Sequence, residues 1–134
     1  MIYITRKEHF NAAHKLARPE WSDEKNVEVF GKCANVNWHG HNFNLHVTVK
    51  GVPSGFVIDL KVLSALIRER VTEKLDHKNL NLDVDFMKGI MPSTENLAMK
   101  IWDQLEKPIL SHGCALHSVK LFETENNYVE YLGA

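Results

Sequence analysis

Residues 41–51 constrain this chain more than any other stretch. Phe43, Leu45, Val47 and Val49 alternate there with Asn42, Asn44, His46 and Thr48. Successive side chains of a strand point to opposite faces, so this pattern predicts a β-strand with one buried and one wet face. Such a strand needs a layer against its apolar side, and two amphipathic segments can supply it. Asp59 is an N-cap candidate for a helix whose stripe is Leu60, Leu63, Leu66, Ile67, Val71 and Leu75. Ser93 or Thr94 caps a second helix, with Glu95 in its first turn and Leu97, Ala98, Ile101, Trp102 and Leu105 on its stripe. Pro108 is expected to end it.

The other segments follow the same signals. Ile2, Tyr3, Ile4 and Phe10 mark a strand over 2–13, and 18–38 reads as a polar loop with a short helix around Asp23–Phe30. Gly51 to Gly55, with Pro53, is a turn. Phe56–Ile58 then predicts a third short strand, making 41–58 a hairpin. Residues 76–92 read as loop, and 115–123 with 127–132 as a second hairpin. The order strand, strand, strand, helix, helix, strand, strand gives an α+β fold with an antiparallel sheet and helices on one face. The 134 residues contain no repeat and no Pro/Gly/Ser-rich linker, which predicts one domain over 1–134.

Charge and composition exclude several classes. Sixteen Lys and Arg against seventeen Asp and Glu leave a net charge of −1, so there is no basic field for nucleic acid. No apolar run approaches the roughly 18 residues of a membrane span. Arg6 and Lys7 stand where a signal peptide would carry its apolar core. Two cysteines and no Asn-x-Ser/Thr triplet fit a reducing cytosol. Dinucleotide, phosphate-loop, His-Glu-x-x-His, Cys-x-x-Cys and Gly-x-Ser-x-Gly motifs are all absent from the sequence.

The histidines are the chemical feature. His39 and His41 sit two apart at the start of the alternating strand, which puts both imidazoles on one face about 6–7 Å apart. His14, at the end of the first strand, could add a third nitrogen. Three histidines leave a fourth position open, as in a catalytic zinc site; taken alone, His39-Gly40-His41 reads more readily as a polar turn. Cys33 reads either as a small buried residue or as a base whose thiol a neighbouring metal acidifies. Asp76-His77 reads either as a proton relay or as a helix terminus with a cation suited to the macrodipole. Glu123 shares the parity of Val119 and Leu121, as a rim residue or as a carboxylate gripping a guanidine-like edge. His9, His46, His112 and His117 lack such spacing and read as surface or sheet residues, and Cys114 as a buried one.

Together these residues resemble the 6-pyruvoyl-tetrahydropterin synthase family. Phe10-Asn11-Ala12-Ala13-His14, Gly31-Lys32-Cys33, His39-Gly40-His41-Asn42, Asp76-His77-Lys78-Asn79-Leu80, Ser93-Thr94-Glu95-Asn96 and Glu123-Thr124-Glu125-Asn126 occur in the family's order over nearly the whole chain. The resemblance implies a tunnelling fold, a four-stranded antiparallel sheet carrying two helices. Three copies would close a β-barrel and two trimers would stack as a homohexamer. It implies His14, His39 and His41 as zinc ligands, Cys33 as the base, and Asp76 with His77 as the proton-moving pair. Glu123 would grip the pterin, with Thr94 and Glu95 as neighbouring substrate contacts. The implied reaction is that of a cytoplasmic zinc-dependent lyase converting 7,8-dihydroneopterin triphosphate to 6-pyruvoyl-tetrahydropterin. A sister branch, 6-carboxytetrahydropterin synthase of queuosine biosynthesis, uses the same site. Five residues between Cys33 and His39 match the biopterin-type spacing, whereas Asn35-Val36-Asn37-Trp38 departs from the Pro-containing loop of those enzymes. A member that binds pterin or zinc without turnover is the third reading, and intact Cys33, Asp76 and His77 count against it.

Overall fold

The computed structural model describes residues 1–34 and 39–134, with His39 described by its backbone alone. Its frame is a pair of long antiparallel strands, β1 (Ile2–His14) and β2 (His39–Gly51), in register from Ile2 opposite Gly51 to His14 opposite His39. β3 (Lys78–Asn79) lies parallel to Ala12–Ala13, while β4 (Ala115–Phe122) and β5 (Tyr128–Tyr131) extend the other side antiparallel. The order is β3-β1-β2-β4-β5. The fold is thus α+β as expected, but its sheet is mixed and five-stranded. The extra strand is a two-residue parallel pairing inside the stretch read as loop, too short to leave a period in the sequence.

The alternation of β2 is realised. Phe43, Leu45, Val47 and Val49 are fully buried. They face the helix layer together with Phe10 and Ala12 of β1 and Leu116, Val119 and Leu121 of β4. A one-residue slip would turn all of them to solvent, so the register is fixed by the core it buries. The opposite face is polar and aromatic: Asn11 Nδ2 donates to Asn42 Oδ1 at 2.8 Å, and His46 packs against Phe122 at 4.8 Å between ring centroids.

Helix α1 (Asp23–Phe30) starts at Ser22, whose hydroxyl accepts from the Lys25 N–H. Helix α2 (Leu60–Ile67) starts at Asp59, which accepts from the Lys61 N–H at 2.8 Å. It passes into a π-helical turn, Arg68–Thr72, and a last α turn, α3 (Glu73–Leu75). Helix α4 (Thr94–Leu110) is capped by Ser93, which accepts from the Asn96 N–H. Among the described residues no helix is long and apolar enough to cross a membrane.

Two further expectations are corrected. Phe56–Ile58 is not a strand, and 41–58 is not a hairpin. The partner of β2 is β1, far back in the sequence. Val57 and Ile58 pack on the core without joining a ladder, while Phe56 stays exposed. Pro108 does not end α4, which runs two residues further. A proline near the last turn forfeits little helix bonding, and Ser111 Oγ then donates back to the Pro108 carbonyl at 2.6 Å.

Candidate metal and substrate site

Three strand ends and one short turn deliver the site. Even-numbered residues of β1 face the core, so the alternation that buries Phe10 and Ala12 carries His14 inward, where it is 1% exposed. Odd-numbered residues of β2 face the same way, and the register that sets His41 opposite Ala12 brings its ring beside that of His14. The two imidazoles stand perpendicular with centroids 5.1 Å apart, both edge-on to Phe43. His14 Nδ1–H donates to the Pro92 carbonyl at 2.9 Å. With the proton on Nδ1, Nε2 is the ring nitrogen suited to ligate an ion.

Glu123 follows the last β2–β4 pair, Asn44 with Phe122, on the core-facing parity of β4. Its Oε1 lies 2.7 Å from His41 Nε2 and 3.7 Å from His14 Nε2. Its Oε2 accepts a hydrogen bond from Thr94 Oγ1 at 2.7 Å, which joins the start of α4 to the end of β4. Cys33 sits in the 3₁₀ turn Gly31–Ala34 after α1, and its carbonyl accepts from the Leu16 N–H at 2.7 Å, tying that turn to the chain just beyond β1. One donor atom each from His14, Cys33, His41 and Glu123 lies within 4.8 Å of all the others. Imidazole, thiol and carboxylate are the donor types that zinc and similar divalent ions take, so this group could hold a metal. Burial, and then the negative charge of Glu123, push the Cys33 thiol above its ordinary range. Beside the group a cleft of about 230 Å³ opens between Thr94, Glu95, Glu123, Asn127, Tyr128 and Val129.

The structure therefore gathers His14, Cys33, His41, Glu123 and Thr94, with Glu95 on the cleft wall. His39 pairs through its backbone with His14, and its side chain lies outside the described residues. The loop residues 35–38 also lie outside them. Asp76 and His77 are not in the four-donor group. They dock on the edge of β1: Asp76 Oδ1 accepts from the Asn11 N–H at 2.8 Å, and the His77 N–H donates to the Asn11 carbonyl at 2.6 Å. His77 has φ of 58°, a left-handed backbone that a non-glycine residue adopts only when its surroundings impose it. Its Nε2 is 3.7 Å from Asp76 Oδ2, and its side chain is 82% exposed.

Sequence reading missed the closeness of Glu123 to the histidines, the Pro92 carbonyl behind His14 and the Asn11 backbone under Asp76–His77. The parity of Glu123 was visible; the two backbone contacts have no sequence signal. His46 and His117 fall on the free sheet face as expected, His117 against Tyr3.

Known proteins match this chain along its length. The sequence model of the family described as 6-pyruvoyl tetrahydropterin synthase matches residues 3–134. A 6-pyruvoyl tetrahydrobiopterin synthase from Pongo abelii is 44% identical over 133 residues, 97% of this chain and 90% of that protein. A 6-carboxy-5,6,7,8-tetrahydropterin synthase from Synechocystis is 32% identical over 138 residues, 98% of this chain and 93% of that one. The solved structure of Caenorhabditis elegans 6-pyruvoyl tetrahydropterin synthase superposes with a TM-score of 0.89 at 36% identity, covering 99% of this chain and 96% of that one.

Proposed function

The chain belongs to the 6-pyruvoyl tetrahydropterin synthase family, and from that membership we propose how its own residues carry out the lyase reaction. The enzyme converts 7,8-dihydroneopterin triphosphate to 6-pyruvoyl-tetrahydropterin and releases triphosphate. We assign His14, His39 and His41 to zinc. The fit rests on the donor chemistry of the cluster and on His14, whose Nδ1 is held by Pro92 while Nε2 faces Glu123. A zinc ion held there would supply Lewis-acid polarisation of the substrate's side-chain oxygens, which would acidify the neighbouring C–H bonds and favour the thiolate of Cys33.

Cys33 takes a carbon-bound proton. Without a cation its thiol stays protonated near neutral pH, since burial and Glu123 both oppose the thiolate. Asp76, anchored by the Asn11 N–H, keeps its second oxygen toward His77, and the exposed imidazole exchanges protons with solvent. Glu123 grips the amino and ring N–H edge of the pterin, which lies in the cleft with Thr94 and Glu95 on its wall.

The free edges of the sheet support assembly. Among the described residues no strand lies along the outer side of Ile2–Phe10, and the far side of β5 is also open. Open edges invite pairing with further copies, which supports three sheets closing a barrel and two such trimers forming a hexamer. A cytoplasmic setting agrees with two cysteines that form no disulfide.

The observation that carries this reading is the convergence of two imidazoles, a thiol and a carboxylate beside a cleft, in a chain that matches the family from residue 3 to 134. The test is product identity after incubating zinc-loaded protein with 7,8-dihydroneopterin triphosphate. Mass spectrometry should find 6-pyruvoyl-tetrahydropterin and free triphosphate. A 6-carboxy product would move the chain to the queuosine branch, and recovered substrate would make it a binding protein.

A further inference from the structure

Glu123 has two claims on it. The reading above gives its carboxylate to the pterin edge, and a two-point grip on that edge uses both oxygens. In the chain itself Oε1 is turned the other way, 2.7 Å from His41 Nε2 and 3.7 Å from His14 Nε2. Thr94 holds Oε2 at 2.7 Å and so fixes the plane of the carboxylate with Oε1 toward the imidazoles. A tetrahedral ion with bonds of about 2.0–2.2 Å to nitrogen and oxygen keeps neighbouring donors about 3.3 Å apart. The two observed separations fall on either side of that spacing. Oε1 therefore stands where a ligand to the same ion would stand, on the wall of the cleft that would receive the ring.

We infer that Glu123 is a metal ligand in the substrate-free enzyme and that the pterin ring takes it from the metal. The inference rests on the assignment of Glu123 as pterin anchor. It gives the site an order of events built from its own residues. With the cleft empty, the carboxylate fills the coordination position that substrate oxygens will need. When the ring arrives, the same side chain turns toward it and that position opens. The metal is thereby kept from binding water or a stray anion until the substrate is present. Coupling between two ligands is reciprocal, so whatever affinity the metal costs the ring, the ring costs the metal.

The discriminating probe is pterin itself, 2-amino-4-oxopteridine, which has the ring edge but no side-chain oxygens to replace the carboxylate. Zinc affinity is measured by chelator competition on the full chain, with and without saturating pterin, in wild type and Glu123→Gln. In wild type saturating pterin should weaken zinc binding about tenfold, within the usual range of a coupling between sites. In the variant it should leave zinc affinity unchanged. Unchanged or tighter zinc binding by wild type in the presence of pterin overturns the inference. The cobalt-substituted wild type needs no variant: its visible spectrum should change when pterin removes the carboxylate, and an unmoved spectrum overturns the inference equally. If pterin binds wild type and Glu123→Gln alike, the anchor assignment itself is wrong. If pterin distinguishes them while zinc affinity and the cobalt spectrum stay fixed, only the exchange of ligands is wrong.

Discussion

The Thr94 hydroxyl donates to Glu123 Oε2 across 2.7 Å, so the first turn of α4 sets the orientation of a carboxylate at the end of β4. Thr94 is 6% exposed, against 24% for the Glu123 side chain it holds. Thr94→Val keeps the shape and removes the donor. Leaving such a carboxylate oxygen without its partner costs about 1–3 kcal/mol, and a carboxylate no longer held toward the imidazoles should bind zinc roughly tenfold more weakly. Thr94→Ser should restore it. Chelator competition for zinc checks this, and equal affinities for Val and Ser variants would make the hydroxyl irrelevant.

His41→Ala should lose most of its metal, because among the described residues His41 supplies one of the four donors gathered within 4.8 Å. Elemental analysis of purified protein decides the point. Full occupancy in the variant would remove His41 from the ligand set.

Cys33→Ala should keep metal and pterin binding and turn over at least about a hundredfold more slowly, the usual scale for a lost general base. Near-native turnover would shift proton abstraction to His77.

Because burial and Glu123 raise the Cys33 thiol above its ordinary range, the metal-free protein should alkylate slowly at neutral pH. Removing the carboxylate takes away one of the two causes. In a Cys114→Ala background, Glu123→Gln should move the iodoacetamide rate profile to lower pH than that of the parent. Superimposed profiles would show that Glu123 exerts no field at the sulfur.

Burial first, then Lys7 and Lys120 facing it across the ladders, lower the affinity of His46 for a proton. Its folded value lies below its unfolded one, so between the two the unfolded chain binds more protons and stability rises with pH. This contribution should fade as pH falls through the ordinary histidine range near about 6.5. Proton NMR titration of the His46 ring should show Lys7→Gln raising its midpoint. A midpoint that stays put would mean that Lys7 contributes nothing to the shift.

The legible parts of this fold were those set by local period and local capping. Phe43 to Val49 announced a two-faced strand, and Asp59 with Ser93 or Thr94 announced two helix starts, capped in the structure by Asp59 and Ser93. What escaped were pairings between distant segments. Nothing near Gly51 says that β2 returns to β1 rather than folding onto Phe56–Ile58, because the β1–β2 ladder is a long-range choice made by the whole core. The site divides the same way. His14, His41 and Glu123 each betrayed a face through parity, but a parity cannot say that three strand ends meet within a few ångströms.

The π-helical turn Arg68–Thr72 carries a consequence for aim. Leu63, Ile67, Val71 and Leu75 recur every four residues and are all fully buried. In a regular α-helix four residues overshoot one turn by about 40°, so three such steps would rotate Leu75 about 120° off the line. The wider turn absorbs that excess phase, and Arg68, which opens it, is held by its Nε donating to Glu8 Oε1 at 3.0 Å. Asp76 comes directly after Leu75, so the azimuth of the Asp76–His77 pair is set by how many residues that turn contains. Deleting one residue from it would swing the pair about 100° around the helix axis, away from the Asn11 backbone that seats it, with every residue named in the site still present.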